Sequence, residues 1–231
     1  MLVRNPISFS DAPKLTLEIQ KTKFSVVRYY QECISTISNR RNEYLSEAIQ
    51  ENNIAFPNSL CMHALVITQD DRILITKRSS KVDYSKNTWS VSIEEQLSAD
   101  DLRPGTTGTV KRWAQRCLLE ELGVNEMDYD YRNLLLLSVF LEVDIMNCAV
   151  VAALRLNLTS QELDAIIKSF PRADYEFTEW RFLTYQELAE ELKTLTLLHH
   201  PSSGYRILLA LINRFGAELA LDMLFPIFKR V

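Results

Sequence analysis

Apolar and polar positions change their period several times along the chain. Lys14–Gln20 alternates as a strand does, whereas Phe24–Ser35 and Arg40–Gln50 carry helical spacing, and Pro57 ends that stretch. Cys61–Thr68 and Ile73–Lys77 are β-rich runs about an Asp70-Asp71 turn, which predicts a hairpin. Trp89–Ile93 reads as a short strand, and Leu97–Gly108, with Pro104, Gly105 and Gly108, reads as loop. Thr109–Leu122 has the strongest helical pattern, stopped by Gly123. Leu134–Glu142 and Cys148–Asn157 are two further β-rich runs about a turn at Asp144–Asn147. A helix over Ser160–Phe170 with Ser160 as N-cap follows, then a strand at Trp180–Leu183 and helices at Gln186–Lys193 and Ser203–Phe215. The order from residue 60, β-β-β-α-β-β-α-β-α, points to an α/β (α+β) fold and away from a doubly wound sheet.

Composition narrows the function classes. The 231 residues hold 47% apolar and 24% charged side chains with a formal net charge of −4, which fits a globular chain and gives no reason to expect nucleic-acid binding. The apolar segment Tyr205–Phe228 carries Arg206, Arg214, Glu218 and Asp222, too many charges for a bilayer span, and reads as two core helices. The N-terminus has no apolar secretory run, and the four cysteines are widely spaced. A cytoplasmic protein with reduced thiols is expected. GxGxxG and GxxxxGK[ST] are both absent, which removes the common dinucleotide and P-loop readings.

Candidate chemistry lies in Arg112–Val124. On a helix, Val110, Ala114, Cys117 and Glu121 share one stripe, so Glu121 stands at the inner edge of an apolar face. Glu120 is one turn beyond Arg116 and can pair with it. An inward carboxylate beside a second one, buttressed by an arginine, suits a hard divalent cation such as Mg²⁺. His63 reads as a core or sheet-face histidine, and His199-His200 as part of a polar connecting loop before a helix.

This segment resembles the signature helix of the Nudix superfamily, G-x5-E-x7-R-E-U-x-E-E-x-G-U, with Arg116, Leu118, Glu120, Glu121, Gly123 and Val124 matching. His63–Arg78 looks like the family's first hairpin, Trp89 like the tryptophan before its catalytic loop, and Glu176–Leu188 like its late strand and helix. The resemblance implies a Nudix-type α/β/α sandwich with a mixed sheet over 58–194. Residues 1–57 would be an extension packing on that core, and 195–231 a C-terminal helical extension of the same domain. Three signature positions differ: Cys117 replaces a metal-binding glutamate, Gly108 a second one, and Leu102 the first glycine. The spans Ile75–Trp89 and Ala114–Gly123 are similar to isopentenyl-diphosphate isomerase. Ser90–Leu97, however, lacks the cysteine and histidine that enzyme needs, so isomerase activity is not expected.

By this resemblance, Glu121, Glu120 and Arg116 are the catalytic candidates. Mg²⁺ (or Mn²⁺) would be held by Glu120, Glu121 and either Glu94 or Glu95, which follow the Trp89 strand and can replace the lost ligands. Glu142, Asp144 and Glu176 are further carboxylates that can contribute. Arg78, Lys77 and Trp89 are the substrate-binding candidates. The implied activity is metal-dependent cleavage of a nucleoside diphosphate linked to another moiety. The alternative is a catalytically inactive Nudix-fold module that binds a nucleotide or a protein partner. The terminal extensions supply a surface for a homodimer or a protein partner.

Overall fold

The computed structural model describes residues 2–3, 8–9, 15–17, 19–36, 58–102, 108–171, 173–194 and 200–224. Its elements begin with the short strands β1 (Leu2–Val3), β2 (Ser8–Phe9), β3 (Leu15–Thr16) and β4 (Ile19–Gln20), then helix α1 (Phe24–Thr36). Next come β5 (Asn58–Ile67), β6 (Ile73–Arg78), β7 (Trp89–Val91), β8 (Ile93–Gln96), helix α2 (Thr109–Leu122), β9 (Leu135–Glu142) and β10 (Asn147–Arg155). The chain continues through α3 (Ser160–Ser169), α4 (Ala173–Glu176), β11 (Phe177–Leu183), α5 (Tyr185–Thr194), α6 (Ser203–Phe215) and α7 (Ala217–Leu224). This is an α/β fold on a mixed sheet, as the pattern predicts. Among the described residues no helix is long and apolar enough to cross a membrane.

The chain divides into two compact units, and β5, β9 and β10 each contribute residues to both. The first holds residues 1–62, 96–109 and 139–150. There β1 pairs antiparallel with β4 and with the start of β5, Leu2 opposite Ser59. Asn147 ties the β9–β10 turn down, accepting from the Ser59 hydroxyl at 2.7 Å and donating to Glu142 at 2.7 Å. Glu142 is thereby a turn carboxylate of this unit.

The second unit holds 63–95, 110–138 and 151–231. Its strands run β5–β6–β11, with β7 also on β6, all antiparallel in these pairings. Leu65, Ile73, Leu74 and Leu154 are buried core positions of this sheet, and Trp113, Ala114, Cys117, Leu118 and Leu122 are buried on α2. Those five helical positions recur at the i, i+4 spacing read from the sequence. Gly123 stops α2 with φ +74°, its N–H donating to Leu119 O at 3.1 Å. A Cβ there would stand 2.8 Å from the Phe170 ring. Gly123→Ala therefore combines left-handed strain with a clash and is expected to cost about 1–3 kcal/mol, read as a lower urea midpoint at unchanged m-value.

Several expectations need correction. Lys14–Gln20 carries two separate two-residue strands. Leu97–Gly108 is not all loop, because Ala99–Asp101 forms a 3₁₀ turn closed by a Ser98–Asp101 capping box. The α3 N-cap is Thr159, whose hydroxyl accepts from Glu162 N–H while Glu162 accepts from Thr159 N–H. β11 starts at Phe177, earlier than the Trp180 start expected. The helix expected at 40–50 lies outside the described residues, as does His199. None of the four cysteines is disulfide-bonded.

Candidate functional site

The site belongs to the second unit. Helix α2 turns Glu121 toward the protein, leaving it 6% exposed, while the neighbouring Glu120 side chain is 45% exposed. Cys117, one turn earlier on the same stripe, is fully buried. From the sheet side, β8 brings Glu95. Its backbone carbonyl accepts from the Trp113 indole N–H at 3.0 Å, which ties the strand to the helix. Its carboxylate meets Arg116 Nη1 at 2.9 Å, and the same nitrogen meets Glu120 at 3.3 Å. The four-residue α4 brings Tyr175 and Glu176. Glu95, Glu120, Glu121, Tyr175 and Glu176 line one cleft of about 400 Å³.

The electrostatics of this cleft are unbalanced. Among the described residues the Glu121 side chain makes no hydrogen bond or ion pair. Burial, together with the nearby Glu176 and Glu95, pushes its carboxyl well above the usual carboxylate range. Burial likewise raises Glu176, Glu95 and Glu94 adding to the effect against Arg78. A buried carboxylate without donors is costly to ionise. The cleft therefore favours either a proton or a cation.

Glu94 goes elsewhere. Adjacent residues of a strand face opposite ways, and Glu94 is held at 3.0 Å by Arg78 Nη1, at 2.8 Å by Arg206 Nη2 and at 3.1 Å by the Ser90 hydroxyl. Burial acts to raise its pKa, but Arg78 and Arg206 hold it well below the carboxylate range. Arg206, from α6, is wholly buried and also donates to Val91 O at 2.7 Å. His200 lies beside this pair, its Nε2 3.8 Å from Glu94. The expected polar loop histidine is thus a buried one, its pKa lowered to about 4 by burial. His63 is buried as expected and lowered to about 3 for the same reason.

The structure brings Glu95, Glu120, Glu121 and Arg116 together, with Glu176 beside them. Arg78, Lys77 and Trp89 do not line the cleft. Arg78 is engaged by Glu94 and by Tyr84 O at 3.1 Å. Lys77 pairs with Glu179 at 2.6 Å, following the β6–β11 register. Trp89 is buried with the Arg181 guanidinium 4.7 Å from its ring centre. Tyr175 and Arg206 were not found by the sequence reading. Tyr175 could have been inferred from its place next to Glu176, whereas nothing local marks Arg206 as buried.

Comparison with known proteins gives no matching family model and no matching curated protein. Among solved structures, DR0079 from Deinococcus radiodurans is 16% identical, with 64% of this chain and 80% of that chain covered and a TM-score of 0.46. A MutT protein from Methanosarcina mazei Go1 is 13% identical, covering 69% and 96%, with a TM-score of 0.42. A MutT Nudix hydrolase from Burkholderia pseudomallei is 17% identical, covering 66% and 97%, with a TM-score of 0.44.

Proposed function

We propose that this chain is a divergent Nudix-type hydrolase that cleaves a nucleoside diphosphate linked to another moiety and depends on Mg²⁺ or Mn²⁺. One observation carries the reading: Glu121 is buried, its side chain has no hydrogen-bond or ion-pair partner among the described residues, and it opens into a cleft with three other carboxylates. An all-oxygen donor set of this kind fits a hard divalent cation. Among the described residues no three such groups already stand close enough to hold an ion. Water and diphosphate oxygens would therefore have to complete its shell. The ion would sit among Glu95, Glu120 and Glu121, with no more than two of them on it as they stand, and would neutralise the diphosphate and lower the pKa of a bound water.

The chain's own residues divide the remaining work. Glu176, raised by burial and by its acidic neighbours, is suited to take a proton from the attacking water. Trp113 fixes Glu95 through its carbonyl. Arg78, Arg116 and Lys77 are committed to Glu94, to Glu95 with Glu120, and to Glu179. A bare diphosphate approaching four carboxylates is repelled, so its entry requires the cation.

The test is hydrolysis of a panel of nucleoside diphosphate conjugates by the full chain with Mg²⁺, Mn²⁺ or EDTA. Turnover of at least one member is expected with metal and none with EDTA. Absence of turnover, with tight nucleotide binding in EDTA, would establish the inactive binding module in its place.

A further inference from the structure

We propose that Arg116 is a built-in rival of the divalent cation, holding the two carboxylates the ion needs and so setting how much ion is required to occupy the cleft. The inference rests on the cation-dependent reading above. Its sign is opposite to that of a simple buttress.

The geometry is specific. A single nitrogen, Arg116 Nη1, lies 2.9 Å from Glu95 Oε1 and 3.3 Å from Glu120 Oε2. The two carboxylates come from different elements, β8 and α2, and this guanidinium nitrogen stands between them. An ion bridging Glu95 Oε1 and Glu120 Oε2 would take the place of Nη1. Glu121 supplies the independent sign that a ligand belongs here, because it is buried, its side chain makes no hydrogen bond or ion pair among the described residues, and it lines the same cleft. Arg116 reaches Glu95 and Glu120, but no contact joins it to Glu121. The cleft is thus half-matched: one internal cation meets Glu95 and Glu120 and leaves Glu121, beside Glu176, for an external charge.

Displacing the guanidinium breaks two charge-assisted contacts at once. Arg116 and Glu95 side chains are only 20% and 17% exposed, so solvent weakens their contact less than it would at an open surface. Glu120, at 45% exposed, adds less. Removing Arg116 should therefore release carboxylates to the ion and tighten its binding.

The test is calorimetric titration of the full-length chain with MnCl₂, comparing wild type, Arg116→Gln, Arg116→Lys and Lys111→Gln. Lys111 is on the same helix but lies over the Tyr131 ring at 3.9 Å, so its loss changes the charge without touching the carboxylate bridge. Arg116→Gln is expected to bind Mn²⁺ about tenfold more tightly than wild type. Arg116→Lys, which keeps the charge but not the guanidinium plane, should fall between them. Lys111→Gln should stay within about twofold of wild type. Equal or weaker binding by Arg116→Gln, with wild type binding normally, overturns the inference and leaves the cation reading intact. A similar gain in Lys111→Gln also overturns it, because net charge alone would then explain the effect. If neither wild type nor Arg116→Gln binds Mn²⁺ at about 1 mM, the cation reading fails and this inference with it. Unfolding temperatures of the four proteins, within a few degrees of each other, confirm that native chains are being compared.

Discussion

Glu121→Gln is expected to abolish cation-dependent cleavage and, at the same time, to make the protein more stable. Glutamine keeps the shape and removes the charge that would hold the ion, so turnover should fall by about 10²-fold or more. The stability effect follows from linkage. The carboxyl of Glu121 is raised in the folded state above its ordinary value of 4.5. A raised group contributes stability that is fully present below the unfolded pKa and is lost as pH rises through the folded pKa. Glutamine has nothing to ionise, so the variant avoids that loss. The two proteins should unfold alike near pH 4, and the gap should open above it. At pH 8 the variant is expected to be ahead by on the order of 1–3 kcal/mol, a shift of several degrees in Tm. A gain of stability with a loss of activity separates a site residue from a merely structural one. Thermal unfolding at the two pH values, beside the cleavage assay, measures both signs. Loss of stability at pH 8 would remove the argument that Glu121 is a strained, unpartnered group.

The second large effect concerns the buried pair behind the cleft. Glu94→Leu leaves Arg206, fully buried, without its carboxylate, and is expected to cost about 3–5 kcal/mol. Arg206→Met added to Glu94→Leu should recover much of that loss, since the uncompensated charge is gone. The pH dependence runs opposite to that of Glu121. The folded pKa of Glu94 is depressed below its ordinary 4.5, so its contribution is complete above that value and is lost as pH falls through the folded pKa. The difference between wild type and Glu94→Leu should therefore be largest at neutral pH and shrink in acid. Urea unfolding at pH 7 and pH 3 tests this, and a difference that grows in acid would contradict the depressed pKa.

What the sequence made legible follows periodicity. The β5–β6 hairpin and the α2 helix carry patterns long enough to fix element type, and the inward place of Glu121 follows from 100° per residue alone. Glu94 against Glu95 was not decidable. Strand alternation says that the two face opposite ways but not which faces the helix. That choice is made by Arg78 and by Arg206, the latter 112 residues further on. Arg206 and His200 were hidden for the same reason. An arginine in an apolar helix and a histidine in a short loop look exposed until the distant carboxylate is known. Arg78 and Lys77 sit on the expected strand, but their carboxylate partners come from β8 and β11, which local sequence does not pair with them.

The Arg206–Glu94 contact has a consequence for how the protein is made. Synthesis runs from the N-terminus at about 5–20 residues per second, so roughly 6–22 s separate the appearance of Glu94 from that of Arg206, 112 residues later. During that interval the residues of β7 and β8 have been made, yet the α6 arginine that pairs with Glu94 has not. Glu94 therefore cannot reach its final electrostatic state while the chain is still growing through α5, and a nascent chain stalled before residue 206 would present Glu94 without that partner.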